Sequence, residues 1–384
     1  MTVSNSVRYI GVSEGSGRLF ENQYEIPKGM SYNSYVILDE KIAVMDSVDA
    51  EFGGEWLENI ERVLGTRSPD YLVVLHMEPD HSANVLAFAK KYPEAKIVSS
   101  QKSFAMMTGF FADDFADRRI VVGDGATLPL GGRTLTFVAA PMVHWPEVMV
   151  AYDDGDKILF SADAFGKFGK ADTDGQWEDE ARRYYFGIVG KYGKQVESLL
   201  SKLAGLDVGI ICPLHGPVLT ENLDYYISLY KKWAAYEPER RGVLIAYASV
   251  YGNTARAAST LRDYIAESGE EVKLFDLSAR DSSAALADAF KYSHLVLASA
   301  TYNAGLFPPM RNFILDLLER NYKNRTVALI ENGSWAPSAN GKMQKMLEEA
   351  SGVSIHPIRV TVRSALNSES LGALKTLSKE LFKN

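Results

Sequence analysis

Four candidate metal ligands stand within six residues of the chain, in the stretch His76-Met77-Glu78-Pro79-Asp80-His81. The stretch directly follows the apolar run 71–75, which is typical of a buried strand. Alternate residues of an extended segment point to the same side, so His76, Glu78 and Asp80 can converge. A single histidine is more often structural than a ligand, but four such residues at this spacing favour a metal site. Imidazoles and carboxylates together suit iron, zinc or manganese.

Three further candidate ligands, His144, Asp163 and His215, lie beside turns later in the chain. Asp163 follows the apolar segment 158–161, and His215 follows the apolar segment 208–212. Loops at strand ends, held by a rigid sheet, are common places for chemistry. The whole set is large enough for two metal ions. Asp163 is the best candidate for a bridging ligand, because one carboxylate has an oxygen for each ion.

Length and composition limit the class of protein. The chain has 384 residues, which is too long for one ordinary core and predicts two domains. Its hydrophobic fraction of 46% and charged fraction of 23% are those of a soluble globular protein. Neither a long apolar run nor a signal-peptide pattern is present, so we expect a cytoplasmic protein without a membrane span.

Charge and cysteine usage exclude further classes. A net charge of −8 argues against a nucleic-acid partner, because phosphate binding needs a basic surface. Cys212 is the single cysteine, which excludes an intramolecular disulfide and a thiolate-rich zinc or iron–sulfur site. Any metal must therefore be bound by nitrogen and oxygen.

The pattern of apolar residues divides the chain into two parts. The first part predicts a helix at residues 52–64 and strands at residues 31–38, 41–46, 71–75, 96–99, 119–122, 134–139, 148–152 and 157–161. A polar stretch with a proline follows at residues 231–242, and we place the domain boundary near Glu239. Beyond it, strands are expected at residues 243–247, 272–275, 295–299, 326–330 and 355–360. Helices that begin near Asn253, Ser283, Pro309, Gly341 and Ser368 alternate with them, which predicts a doubly wound parallel sheet of five strands.

The first strand of this second part runs into a loop rich in hydroxyl and amide groups, Ser249-Val250-Tyr251-Gly252-Asn253-Thr254. These side chains, with the free N–H groups at the start of the next helix, can form a phosphate cradle. The loop differs from the Gly-x-Gly-x-x-Gly dinucleotide motif. Two later loops also follow strands, and their candidate cofactor-binding residues are Thr301, Tyr302, Asn303, Ala304, Gly333, Ser334 and Trp335. Tyr302 and Trp335 could flank a flat ring.

These motifs are similar to those of known families. The His-x-Glu-x-Asp-His spacing after a strand resembles the signature of the metallo-β-lactamase fold, an αββα sandwich. Zinc hydrolases of that fold usually have histidine where this chain has Glu78, and the additional hard oxygen favours iron. The loop 248–254 resembles the phosphate loop of flavodoxins, which bind flavin mononucleotide (FMN). Segments 141–146 and 160–166 resemble the flavodiiron protein family.

The resemblance implies a lactamase-like diiron domain at residues 1–239 and a flavodoxin-like FMN domain at residues 240–384. One iron would be bound by His76, Glu78 and His144 and the other by Asp80, His81 and His215, with Asp163 bridging the two. Tyr192 resembles a tyrosine close to the diiron pocket and is the candidate catalytic residue.

The activity implied by the resemblance is reduction of dioxygen to water, of nitric oxide to nitrous oxide, or of both, as part of electron transport. FMN would relay electrons from a rubredoxin-like donor. The family also implies a head-to-tail homodimer or a dimer of dimers, in which each flavin serves the partner's irons.

Two other functions fit part of the sequence. A dinuclear zinc hydrolase would use the first domain for chemistry and the second for regulation, but Glu78 and the flavin loops argue against it. A simple electron carrier would use the flavin and leave seven ligand candidates without a purpose.

Overall fold

The computed structural model describes residues 1–171, 177–279 and 281–383. The chain forms two compact units. The first comprises Met1–Tyr185 and Lys194–Lys231, and the second comprises Phe186–Gly193 and the chain from Lys232 onward. No helix within the described ranges combines the length and the apolar character that a membrane crossing requires.

Two mixed β-sheets build the first unit. The first sheet has the order β1-β6-β7-β8-β9-β10, and its strands are β1 (Val7–Tyr9), β6 (Tyr35–Ile37), β7 (Ala43–Met45), β8 (Tyr71–Val73), β9 (Lys96–Ser99) and β10 (Arg119–Val121). The second has the order β11-β12-β13-β14-β15, with β11 (Thr127–Pro129), β12 (Thr134–Ala139), β13 (Met149–Asp153), β14 (Ile158–Phe160) and β15 (Ile210–Cys212). The sheets pack against each other, and the rings of Tyr35 and Phe160 meet edge to face at 5.6 Å between centroids.

Two short strand pairs and a group of helices complete the first unit. The small strand pairs are β2 (Val12–Glu14) with β5 (Met30–Tyr32) and β3 (Leu19–Phe20) with β4 (Tyr24–Glu25). The helices are α1 (Gly53–Leu64), α2 (Pro79–Ser82), α3 (Val85–Lys91), α4 (Gln101–Phe111), α5 (Trp177–Tyr184) and α6 (Gly193–Leu203), and α7 (Leu223–Ala234) runs from the first unit into the second. Trp56, Ile60 and Leu64 form the buried stripe of α1, at the spacing expected for an amphipathic helix.

The predicted strand at residues 31–38 is wrong in one respect, because β5 ends at Tyr32 and β6 begins at Tyr35. Asn33 and Ser34 lie between the two strands and belong to neither. The Asn33 side-chain amide donates instead to the carbonyls of Pro213 and Gly216, at 2.8 and 2.9 Å. The interruption therefore ties the start of the first sheet to the loop that carries His215.

A doubly wound parallel sheet forms the centre of the second unit. Its strand order is β17-β16-β18-β20-β21, built from β16 (Arg240–Ala248), β17 (Val272–Asp276), β18 (Tyr292–Tyr302), β20 (Arg325–Asn332) and β21 (Val353–Val362), with β19 (Gly305–Leu306) paired to the end of β18. The helices are α8 (Asn253–Glu267), α9 (Ser283–Lys291), α10 (Pro308–Glu319), α11 (Ala339–Leu347) and α12 (Ser368–Glu380). The predicted five-stranded parallel sheet is confirmed.

Candidate metal centre and cofactor cavity

The seven predicted metal ligands all follow strand ends in the first unit. His76 to His81 lie just beyond β8, where Pro79 starts the short helix α2. His144 lies between β12 and β13. β14 and β15 are parallel and pair Phe160 with Cys212, so Asp163 and His215 each lie three residues beyond a paired position. The sheets thereby direct separate parts of the chain to one place.

Four of the ligands form a set that we call the His76 set: His76, Glu78, His144 and one oxygen of Asp163. His144 Nε2 lies 2.9 Å from Glu78 Oε2 and 2.9 Å from Asp163 Oδ2. His76 Nε2 lies 3.2 Å from Glu78 Oε2 and 3.3 Å from His144 Nε2.

The remaining ligands form the His81 set: Asp80, His81, His215 and the other oxygen of Asp163. His81 Nε2 and His215 Nε2 are 3.0 Å apart, and each lies 3.3 Å from Asp80 Oδ2. Asp163 Oδ1 lies 3.2 Å from His81 Nε2 and 3.8 Å from His215 Nε2. Asp163 therefore presents one oxygen to each set, in the position of a bridging carboxylate.

The donor atoms are spaced as ligands of a common metal ion rather than as hydrogen-bond partners of one another. Two nitrogens bound to one ion at about 2.1 Å stand roughly 3.0–3.4 Å apart, which matches the imidazole pairs in both sets. Within the described residues, both Asp80 oxygens and Asp163 Oδ1 are buried and have no hydrogen-bond partner. Unpaired buried carboxylate oxygens are costly, and a cation between them removes that cost.

The protonation of these groups leads to the same conclusion. Burial lowers the pKa of His144, but the Asp163 and Glu78 carboxylates outweigh this effect and raise the pKa to about 9. Burial favours a higher pKa for Asp163, yet the His76 and His81 imidazoles hold that pKa well below its usual range. The buried carboxylates thus need positive charge beside them, and divalent ions would supply it.

Several supporting residues were not identified from the sequence. Glu147 accepts a hydrogen bond from His76 Nδ1, and the carbonyl of Ser31 accepts one from His215 Nδ1. Tyr184 is fully buried, and its ring centroid lies 5.4 Å from that of His215. Glu147 follows the segment 141–146 directly, so an acidic residue beside the candidate ligand His144 was the available signal.

Tyr192, the predicted catalytic tyrosine, lies in the segment Phe186–Gly193 of the second unit. The Phe186 ring stacks on Phe290 at 3.8 Å between centroids, and Tyr236 Oη donates to the Gly190 carbonyl at 2.8 Å. Two tyrosines of the first unit, Tyr184 and Tyr32, have rings beside the ligand His215, at 5.4 and 5.8 Å between centroids. A catalytic role for Tyr192 stays a prediction.

A cavity of about 490 Å³ opens at the carboxyl ends of the parallel strands in the second unit. Its lining includes every predicted cofactor-binding residue other than Gly252: Ser249, Val250, Tyr251, Asn253, Thr254, Thr301, Tyr302, Asn303, Ala304, Gly333, Ser334 and Trp335. Ala300, Asn332, Ala336 and Ser364, which were not predicted, line it as well. Topology and lining agree with the position expected for a nucleotide-like ligand.

The cavity has the features that a phosphorylated flat ring requires. Gly252 has φ +87° and precedes the first residue of α8, and its N–H donates to Ser249 Oγ at 3.1 Å. The turn leaves the first N–H groups of a fifteen-residue helix available to an anion. Tyr251 and Trp335 are 93% and 89% exposed, so their rings are free to cover a ligand.

Comparisons with known proteins match both units. A family model described as ODP family beta lactamase matches residues 30–216, and a flavodoxin model matches residues 245–370. The rubredoxin oxygen:oxidoreductase of Desulfovibrio gigas aligns with 99% of this chain and 96% of its own, with a TM-score of 0.91 and 26% identity. The chain resembles the flavodiiron proteins, with the same two domains in the same order. These matches confirm the predicted fold class, a lactamase-like sandwich followed by a flavodoxin-like sheet.

Two further proteins are similar over most of this chain. The anaerobic nitric oxide reductase flavorubredoxin of Escherichia coli O1:K1 / APEC is 28% identical over 363 residues, which cover 91% of this chain and 75% of that protein. The fold of the flavodiiron protein from Giardia intestinalis is also shared, with a TM-score of 0.87, 23% identity and coverage of 98% and 95% of the two chains.

Proposed function

We propose that this chain is a flavodiiron oxidoreductase that reduces dioxygen to water, nitric oxide to nitrous oxide, or both. The observation that carries the proposal is the proximity of two groups of metal-ligand side chains in the first unit, with one oxygen of Asp163 directed to each group. The second unit of the same chain has a flavodoxin-type cavity. We further propose that His76, Glu78 and His144 bind one iron, that Asp80, His81 and His215 bind the other, and that Asp163 bridges them. The Glu78 oxygen favours iron over zinc in this fold.

Iron in the two sets and FMN in the cavity would supply the electrons that these reductions require. Dioxygen takes four electrons and four protons to give two water molecules. Two nitric oxide molecules take two electrons and two protons to give nitrous oxide and one water. Two adjacent metal sets suit both reactions, because they would bind one dioxygen molecule between them or hold two nitric oxide molecules close enough to couple.

The protein contributes access, shielding and proton control. Glu78 and Asp80 are among the residues that line a cavity of about 720 Å³, which opens to solvent and has room for a small molecule. The Phe20 ring meets His215 edge to face at 5.5 Å and covers one side of the His81 set. Burial, with the nearby Asp163 carboxylate, raises the pKa of Tyr184 well above its ordinary value, so the phenol stays protonated and can donate a hydrogen bond.

The cofactor cavity would hold FMN through three loops. The phosphate would lie at the start of α8, beside Ser249, Asn253 and Thr254. The flavin ring would lie between the loops that carry Tyr302 and Trp335. Residues 301–304 and 333–335 line the cavity, and their backbone groups would contact the polar edge of that ring.

The proposal extends to the electron donor, the oligomeric state and the cellular location of the protein. A small rubredoxin-like protein is the proposed donor, since one similar structure is a rubredoxin oxygen:oxidoreductase. We propose a head-to-tail homodimer or a dimer of dimers in the cytoplasm. Residues 1–239 and 240–384 are the proposed extents of the two domains.

Anaerobic single-turnover measurements test the proposed function. Iron and FMN are quantified first, and the prereduced protein is then mixed with dioxygen or nitric oxide in separate runs. We expect rapid reoxidation by dioxygen without hydrogen peroxide release, or nitrous oxide release from nitric oxide. The Asp163→Asn variant, with its FMN retained, serves as the control and should react slowly with both gases. Zinc in place of iron, no bound FMN and no reaction with either gas would overturn the proposal.

A further inference from the structure

The two ligand sets have the same donor composition. Each contains two imidazole nitrogens, one carboxylate of its own and one oxygen of Asp163. The carboxylates Glu78 and Asp80 are also similarly accessible, with side chains 16% and 12% exposed. The ligands themselves therefore give no reason for one set to bind a metal ion more tightly than the other.

The groups behind the histidines differ between the sets. In the His76 set, His76 Nδ1 donates to Glu147 Oε1 at 2.8 Å, and the Glu147 side chain is completely buried. The same oxygen accepts the backbone N–H of Met77 at 2.8 Å, which fixes the carboxylate against the ligand loop. A charged acceptor is thus built into the support of this set.

In the His81 set, no carboxylate of the described residues accepts a hydrogen bond from an imidazole Nδ1. The buried Asp46 carboxylate interacts through its charge with both His81 and His76, and its Oδ1 accepts the backbone N–H groups of Leu75 and His76. His215 Nδ1 donates to the neutral backbone carbonyl of Ser31 at 2.7 Å. His81 Nδ1 is buried and finds no hydrogen-bond partner within the described ranges 1–171, 177–279 and 281–383. One imidazole of this set therefore has a neutral acceptor, and the other has none among those residues.

This difference has a direct effect on metal binding. A carboxylate that accepts from one imidazole nitrogen fixes the tautomer and makes the other nitrogen a stronger donor. Its negative charge also attracts the cation through a buried, poorly screened region. A backbone carbonyl has the first effect to a smaller degree and lacks the second.

We propose that Glu147 makes the two halves of the centre unequal, so that the His76 set binds its metal ion first and more tightly. Glu147 is a positioning residue, since it acts through His76. The inference rests on the proposed function only in that both sets must bind metal ions. It predicts that the ion in the His81 set is the one more readily lost or exchanged.

Titration of metal-free, FMN-loaded protein with Co²⁺ tests the proposal, because the visible absorption of Co²⁺ reports its coordination. In the wild-type chain we expect two binding steps whose dissociation constants differ by about 10- to 100-fold, the usual effect of such a supporting group. Glu147→Gln keeps an oxygen acceptor for His76 and Met77 but removes the charge. It should weaken the first step by a similar factor and bring the two steps together.

Single-set variants assign the effect to one half of the centre. Asp80→Asn weakens the His81 set and leaves the His76 set to bind tightly, whereas Glu78→Gln does the reverse. Adding Glu147→Gln should weaken Co²⁺ binding about 10- to 100-fold in the Asp80→Asn protein and change it less than about threefold in the Glu78→Gln protein. A general folding defect would weaken binding in both proteins and lower their FMN content.

Two results would overturn the inference, and they are distinguishable. Equal affinities for two ions in the wild-type chain, or equal weakening by Glu147→Gln in both single-set variants, would refute the unequal halves and leave the proposed function standing. Fewer than two Co²⁺ ions per wild-type chain would refute the two-metal centre itself and the proposed function with it.

Discussion

The candidate metal centre and the candidate flavin cavity reach their chemistry by different structural means. Five of the seven metal ligands are buried, and the ligands come from parts of the chain as distant as His76 and His215. The flavin cavity is open, and its wall consists of short loops that follow four strands of a single sheet. The first site depends on side chains fixed by packing, whereas the second depends on backbone turns and exposed rings.

This contrast teaches where single substitutions should matter most. A buried ligand cannot be replaced by water without leaving its partners unpaired, so its loss affects the whole cluster. An exposed ring at the rim of a cavity contributes contact area, and its loss leaves the remaining contacts in place. The predictions below test the contrast, from the largest expected effect to the smallest.

Replacing the shared ligand should abolish the metal centre. Asp163→Ala removes one donor from each set, and we expect both metals to bind at least about 100-fold more weakly, since even supporting groups contribute 10- to 100-fold. Metal content per chain by mass spectrometry checks this, with FMN content as an internal reference. Asp207→Asn, at a 76% exposed side chain, is the matched control and should leave metal content unchanged. Retention of one tightly bound ion would show that Asp163 is not shared.

Straining the phosphate loop should have an intermediate effect. Gly252→Val places a β-branched residue at φ +87°, which costs roughly 1–3 kcal/mol and corresponds to about 5- to 150-fold weaker FMN binding. Quenching of flavin fluorescence on binding measures the affinity. Gly341→Ala, in α11 with open space around the added methyl, is the control and should bind FMN normally. Normal binding by the Gly252→Val protein would mean that the loop adopts another conformation with the ligand.

Removing an exposed ring should weaken the flavin site without loss of stability. Trp335→Ala should lower FMN affinity about 5- to 10-fold, because stacking contributes about 1–1.5 kcal/mol. The free energy of unfolding of the FMN-free protein should change by less than about 0.5 kcal/mol, since the side chain is 89% exposed. Trp335→Phe should retain most of the affinity. Unchanged binding by the alanine variant would exclude contact between Trp335 and the ring.

The smallest effect is expected at Tyr184, a buried tyrosine beside His215. Tyr184→Phe removes one hydroxyl and keeps the ring, so iron content should stay normal while turnover falls by about 2- to 10-fold through the loss of one hydrogen-bond donor. Turnover with dioxygen and nitric oxide, normalised to iron, measures this. Tyr192→Phe is the matched comparison. Slower turnover in the Tyr192 variant alone would support Tyr192 as the catalytic tyrosine.

The elements of the second unit could be predicted from the sequence with good accuracy. Helices predicted to begin at Asn253, Ser283 and Ser368 begin there, and those expected at Pro309 and Gly341 begin at Pro308 and Ala339. In a parallel sheet covered by helices, buried apolar strands alternate with amphipathic segments, and both patterns are local. The strand break at Asn33 and Ser34 was not predictable in this way, because its cause is a loop 180 residues away in the chain.

The sequence by itself determined which groups are available: nitrogen and oxygen ligands at strand ends, and a hydroxyl-rich turn before a helix. These features depend on residue type and on spacing within a few positions. Only the tertiary structure decided which of these groups lie together and which residues support them. The alignment of β14 with β15 sets Asp163 beside His215, and long-range contacts give His76 a carboxylate and His215 a carbonyl. Those partners lie 71 and 184 residues away, so local patterns in the sequence carry no record of them.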